Sequence, residues 1–342
     1  MLARLVLLSG FFLMACQPIQ DTSYPTNDLY PAKCLIITAD DYGASENINE
    51  GIRLAVENDA ITTISVLSNF TKCLPNLKRL SQNNPAIGIG VHLNIITGKP
   101  CLEPGKVSSL VRDDGRFYSM SALLDHIYSI SVDELKQELR AQILALEKYD
   151  IRIDHLSNQC GILSLYDPFF DIIIELAREF EVPIRSPMVA SVKYPEVFFN
   201  SHMKKRMRRM AFQLALKAPF KAINLMKYCR IHEMEKKIQK LDKQKIIHPD
   251  IVIDSFWGEP SASNILYILK HLPNGISELV VHFGNYTRED HYPNGLDVDY
   301  FRNRECELLT ATSGYLKEYF KYKHIKIIGY SEISEYNIKN NH

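Results

Sequence analysis

Short apolar runs alternate with amphipathic stretches along most of this chain. Runs with strand character fall near 33–39 (KCLIITA), 61–67 (ITTISVL), 86–92 (AIGIGVH) and 152–156 (RIDHL), then near 182–186 (VPIRS), 250–254 (DIVID), 277–283 (SELVVHF) and 324–329 (HIKIIG). They are β-branched and apolar without strict alternation, the pattern of parallel strands covered on both faces. Helical patterns lie between them. The clearest spans about 132–148, where Ser131 and Glu134 have capping-box spacing and Leu135, Leu139, Ile143 and Leu146 form one apolar stripe. About eight strands separated by helices predict an α/β fold, a (β/α)-barrel with irregularities, over residues 33–342.

Two segments break this rhythm. The N-terminus, MLARLVLLSGFFLMAC, has one arginine followed by an apolar run too short to span a bilayer comfortably. It predicts a signal peptide over residues 1–15. Its end, Leu13-Met14-Ala15-Cys16, resembles the lipobox of bacterial lipoproteins, which are cut before the cysteine and lipidated on it. That resemblance implies a membrane-anchored lipoprotein of the bacterial cell envelope, periplasmic or outer-membrane, held by Cys16. An ordinary cleaved signal with an incidental cysteine is the plainer alternative. Residues 16–32 are polar, carry three prolines and read as a flexible tether. The second segment, about 196–249, is long, basic and helical (MKKRMRRMAFQLALKAPFKAINLMKYCRIHEMEKKIQK). It reads as a helical insertion with a solvated positive face, or as a surface for anionic lipid or an acidic polymer.

Composition narrows the function classes. Formal net charge is zero, so charge gives no argument for nucleic acid as a partner. The seven cysteines contain no CxxC pair, and a domain this long needs no disulfides to hold it.

The chemistry falls at the strand ends, where a barrel gathers its reactive side chains. The first run ends in Asp40 and Asp41, the third in His92, and the fourth carries Asp154 and His155 with Ser157, Asn158 and Gln159 beyond. Arg185, Asp254 and His282 end the next three. A divalent cation relieves the repulsion of adjacent carboxylates, since one can ligate it while the other takes a proton. Singly, an Asp-Asp pair is commonly a solvated turn and a lone histidine a core residue. Their coincidence at one sheet edge is the signal.

These residues also carry a family resemblance. TADDYGASENINEGI, TTISVLSN, GIGVHLNIITGKP, IDHLSNQCGIL with DPFFDIIIELAREFEVPIR, and ELVVHFGN with YFRNRECELL resemble successive motifs of the YdjC-like (ChbG/HpnK-type) carbohydrate deacetylases. The resemblance runs from about residue 33 to about 330. It implies a barrel of the polysaccharide-deacetylase kind, a divalent metal, Mg2+ or Zn2+, and removal of acetyl groups from N-acetylated sugars. By position, Asp40 resembles the catalytic base and His282 the general acid, with Phe283 in place of the usual proline after it. Asp41 and His92 resemble metal ligands, and Arg304 resembles the arginine of a late helix. The family commonly reads H-x-D-S-H on the fourth strand. Here His155 keeps the first histidine, while Ser157 and Gln159 stand where the aspartate and last histidine would be. The third ligand is then Gln159, a hard neutral oxygen donor, or His155.

The expectation is a metal-dependent amide hydrolase. Asp40 would deprotonate water, His282 would protonate the amine, and Arg185, Arg304 and Trp257 would contact substrate. Tyr42, Phe256 and Trp257 would stack on sugar rings or pack in the core. The alternative is a glycan-binding lipoprotein whose metal site has decayed.

Overall fold

The computed structural model describes residues 33–205, 208, 230–286 and 298–334. The expected signal peptide, the tether with Cys16, and residues 206, 207 and 209–229 of the basic segment lie outside them.

Among the described residues, seven parallel strands make one sheet: β1 (Lys33–Tyr42), β2 (Thr63–Val66), β3 (Gly88–Leu93), β4 (His155–Asn158), β5 (Ile251–Ile253), β6 (Gly275–Val281) and β7 (Lys326–Ile327). Their order is β4-β3-β2-β1-β6-β5, with β7 on the first half of β1. β1 is central because all but one of its ten residues are buried, as KCLIITADDY requires of a strand covered on both faces.

The candidate strand at 182–186 is not one. Ile184 makes a single bridge to Leu156 in β4, and Val189 a single bridge to Val252 in β5. Pro183 has no N–H to give, so only its carbonyl pairs, accepting from Leu156 N at 2.9 Å. Ser186 then turns the chain, its Oγ accepting from Met188 N at 3.2 Å. Residues 183–189 thus span the gap between the two sheet edges and complete an irregular (β/α)-barrel.

Helices pack outside the sheet. In helix Val132–Glu147 the expected stripe of Leu135, Leu139, Ile143 and Leu146 is buried, and Ser131 caps Glu134 N. The reciprocal arm of the capping box is missing, because the Glu134 carboxylate accepts from Ser109 N at 2.8 Å instead. Two polar residues of the same helix, Glu138 and Gln142, are fully buried. They hold the loop after β3: Gln142 exchanges bonds with the backbone of Asn94 at 2.9 and 2.7 Å, and Glu138 accepts from Cys101 N and Leu102 N. The described end of the basic segment, helix Ile231–Lys243, lies on helix Asp167–Glu179 through Lys237–Asp167 and Lys240–Asp171 ion pairs. Here basic residues serve packing within the chain.

Helix Glu46–Glu57 follows β1 directly. Ser45 caps Ile48 N, and Gly51 meets the backbone of Gly284, where an added Cβ would sit 2.7 Å away. This contact draws the segment after β6 against the end of β1 and places His282 beside the aspartates.

Candidate active site

The two aspartates occupy a β-bulge. Ala39 pairs with Ile64 and Tyr42 with Val66, so Asp40 and Asp41 together oppose Ser65. Adjacent side chains of a regular strand point to opposite faces. The bulge, with Asp41 at φ 74° in the left-handed region, re-aims one of them. His92 Nε2 consequently lies 3.8 Å from Asp40 Oδ2 and 3.8 Å from Asp41 Oδ1. Both distances exceed a hydrogen bond.

Each carboxylate has its own arginine. Arg185 grips Asp40 with two nitrogens, at 2.7 and 2.8 Å, and donates to Glu278 Oε1 at 2.9 and 3.1 Å. Glu278 is buried in β6 and also accepts from Thr38 Oγ1 at 2.7 Å and Tyr330 OH at 2.6 Å. Arg304 donates to Asp41 Oδ2 and to Tyr300 OH from one nitrogen and to the Phe283 carbonyl from another. Its guanidinium lies over the rings of Tyr300 and Trp257, at 4.7 and 5.5 Å. The His282 ring is 4.8 Å from Trp257.

These charges set the ionisation. Burial pushes Asp40 up, but Arg185, with His92 and His282, outweighs it and holds the carboxyl far below its usual range. Asp41 is likewise lowered, burial being outweighed chiefly by Arg304. Burial lowers His92 against the pull of both aspartates. Burial and then Arg304 lower His282 to about 4, so it is neutral at neutral pH. Burial raises Glu307, whose Oε2 accepts from His282 N at 2.6 Å, to about 8.

Asp40, Asp41, His92, His282, Arg185, Arg304 and Trp257 are therefore brought together as expected, but some roles change. Arg185 and Arg304 were expected to contact substrate. All three Arg185 nitrogens are committed to carboxylates, and Arg304, 2 % exposed, is committed to Asp41, Tyr300 and a carbonyl. Both are clamps on the aspartates. Tyr42 and Phe256 are core residues, 3 % and 1 % exposed, which leaves Trp257 as the aromatic residue of the three able to meet a ring. Asp254 accepts from Ser191 Oγ at 3.4 Å at the end of β5. His155 is not gathered with the cluster: it is fully buried, with one ring nitrogen on Asp154 and the other on Ser65. Glu278, Tyr330, Tyr300 and Glu307 were missed. A glutamate inside the apolar run SELVV was the available signal for Glu278.

Asp41 Oδ1 and His92 Nε2 face each other as two donors for a cation. Gln159, in the turn beyond β4, has its Oε1 buried without a hydrogen-bond partner among the described residues. No group of three His, Cys, Asp or Glu among the described residues is arranged to hold a metal. This donor set fits a hard cation that keeps several waters, and lacks the three His, Cys or carboxylate ligands typical of a catalytic zinc site.

The profile of the YdjC-like protein family matches residues 34–322. A carbohydrate deacetylase of Oceanobacillus iheyensis is 31% identical over 161 residues, 47% of this chain and 67% of that protein. One of Brevibacillus brevis is 29% identical over 153 residues, 45% of this chain and 59% of that protein. A crystal structure from Enterococcus faecalis, described as that of a candidate cellobiose-phosphate cleavage protein, superposes with a TM-score of 0.67 at 22% identity, over 88% of this chain and 98% of that one, and shares the fold. Because the profile match covers most of the chain and takes in Asp40, Asp41, His92, Arg185, His282 and Arg304, the chain belongs to the YdjC-like protein family.

Proposed function

We propose that this chain is a carbohydrate deacetylase that hydrolyses the acetamide of an N-acetylated sugar. The observation that carries the reading is the bulge that turns Asp40 and Asp41 together towards His92, beside the neutral His282. The names of the matched relatives support the same chemistry.

Arg185 grips both oxygens of Asp40 and favours its ionised form far below the usual carboxylate range. It takes a proton from the attacking water, whose oxygen bonds to the acetamide carbon. So weak a base does not store that proton. His282 enters neutral, accepts the proton and passes it to the nitrogen as the C–N bond breaks, giving acetic acid, which ionises on release, and a free amine. Trp257 offers its face to the sugar beside His282. Buried Arg304 fixes Asp41 and adds positive charge at the site. A divalent cation held by Asp41, His92 and Gln159 would stabilise negative charge on the acetamide oxygen. The donors favour magnesium or manganese over zinc.

Acetate release from a panel of N-acetylated sugars tests the reading. Asp40→Asn keeps an acceptor for Arg185 but not a base, and should lose at least about 100-fold in kcat. Equal turnover in variant and parent removes Asp40 from this role. Gln159→His should raise zinc affinity at least about tenfold; an unchanged titration takes Gln159 out of the ligand set. The incomplete donor set also favours a second reading, glycan binding without turnover. Sugar binding by calorimetry with no acetate released under any added metal would select it. We also propose anchoring to the cell-envelope membrane through lipidated Cys16. Cys16→Ser should move the protein to the soluble fraction, and a variant that still sediments with membranes counts against a lipid anchor.

A further inference from the structure

Beneath the aspartates runs a buried line of polar side chains that the reaction does not use directly. His92 Nδ1 is 2.8 Å from Ser157 Oγ, Ser157 Oγ is 2.9 Å from Ser65 Oγ, and Ser65 Oγ is 3.1 Å from His155 Nε2. His155 Nδ1 is 2.7 Å from Asp154 Oδ1, with Thr63 Oγ1 as a longer contact at 3.4 Å. His92, Ser157, Ser65 and His155 are all 2 % exposed or less. Asp154 keeps partial contact with solvent, its side chain 16% exposed.

We propose that Asp154, His155, Ser65 and Ser157 are positioning residues, a one-way hydrogen-bond chain that holds His92 with its proton on Nδ1 and its Nε2 lone pair facing Asp40 and Asp41. Each link fixes the next. In this chain His155 Nδ1 donates to the Asp154 carboxylate. With its ring proton on Nδ1, His155 presents a bare Nε2, which Ser65 serves as donor. With its single proton spent, Ser65 accepts from Ser157. Ser157, its own proton spent, accepts from His92 Nδ1. The result is the less favoured imidazole tautomer in water, imposed twice in one network.

The surroundings prevent the chain from relaxing. His155 stacks on Tyr330, ring centres 4.1 Å apart and planes 6° from parallel. On its other side is Gly90, where an added Cβ would lie 2.2 Å from the ring. Ser65 is the residue opposite the Asp40–Asp41 bulge. The chain therefore ties β2, whose Ser65 lies opposite the carboxylates, through β4 to His92 on β3. With Nε2 bare, its lone pair faces Asp40 Oδ2 and Asp41 Oδ1 at 3.8 Å each, an arrangement that favours a cation or a substrate proton there. A proton on Nε2 would instead fill the gap and cancel that preference.

The inference rests on the assignment of His92 to the site, and its test is separate from turnover. Long-range 15N–1H spectra of the metal-free full chain read each imidazole tautomer directly. The expected result is a protonated Nδ1 and a bare Nε2 on both His92 and His155. Ser65→Ala interrupts the chain, and His92 should shift towards the Nε2–H form, with manganese affinity falling at least about tenfold. A parent His92 protonated on Nε2 overturns the proposal, as does a folded Ser65→Ala protein whose His92 spectrum is unchanged. If Ser65→Ala does not fold, the parent spectrum decides alone. Failure to release acetate with the predicted tautomers present would count against the deacetylase reading and leave the chain intact.

Discussion

At the scale of single residues, the site is built by giving each carboxylate a private cation. Arg185 illustrates what that costs and returns. It is buried with Asp40 and Glu278, and its donors satisfy both. Removing one member of such a group leaves charge buried without compensation, which costs about 3–5 kcal/mol. Arg185→Met should therefore destabilise the fold by about that amount in urea or guanidinium titration. Were Arg185 a substrate contact, as its place in the apolar run 182–186 suggests, the same change would raise KM and leave the midpoint alone. Asp40 shows the complementary lesson. Its identity is legible in the sequence, but its weak basicity is not, because that follows from a guanidinium contributed 145 residues away.

At the scale of elements, the positions of β3 and β4 depend on what lies between their side chains. His92 and Ser157 are register partners on the two strands, as are Gly90 and His155. The His155 ring occupies the space a side chain at 90 would need. Gly90→Ala should force the ring off Tyr330 or push the strands apart, at a cost of about 1–3 kcal/mol. A lowered melting temperature, with loss of the His155 tautomer signature, is the expected readout. An unperturbed melt would mean the strands separate freely here. The same pair explains part of the GIGVHL motif: the second glycine makes room for a histidine on the next strand. Periodicity located both strands to within about three residues. It could not show that a glycine and a histidine interlock.

At the scale of the whole molecule, two buried titrating groups in contact give opposite pH dependences. Glu307 is raised from 4.5 to about 8, so its contribution to stability is complete below 4.5 and is lost as pH rises through about 8. His282 is lowered from 6.5 to about 4, so stability is complete above 6.5 and is lost as pH falls towards about 4. The two slopes oppose each other between 4.5 and 6.5. Above that window only Glu307 acts. Glu307→Gln removes its titration, so the variant should gain stability relative to the parent as pH rises from 4.5 to about 8. Parallel melting curves across that range would show that Glu307 is already ionised in the folded protein.

The sequence by itself determined the architecture and most of the site's members. Apolar runs of strand length separated by amphipathic helices dictate a parallel sheet covered by helices, because no other arrangement buries both faces of those runs. Polar residues at the ends of such runs then have only one place to meet. Only the tertiary structure decided how they meet. Strand alternation would have pointed Asp40 and Asp41 apart, and the bulge opposite Ser65 turned them together. The run at 182–186 looked like a strand, but its proline and the turn at Ser186 left it a pair of bridges. His155 read as a ligand candidate from its position on β4. The ring contacts of Tyr330 and the hydroxyl of Ser65 place it beneath the site instead. These outcomes depend on partners distant in sequence, whose hydrogen bonds and volumes exist only once the sheet has closed around them.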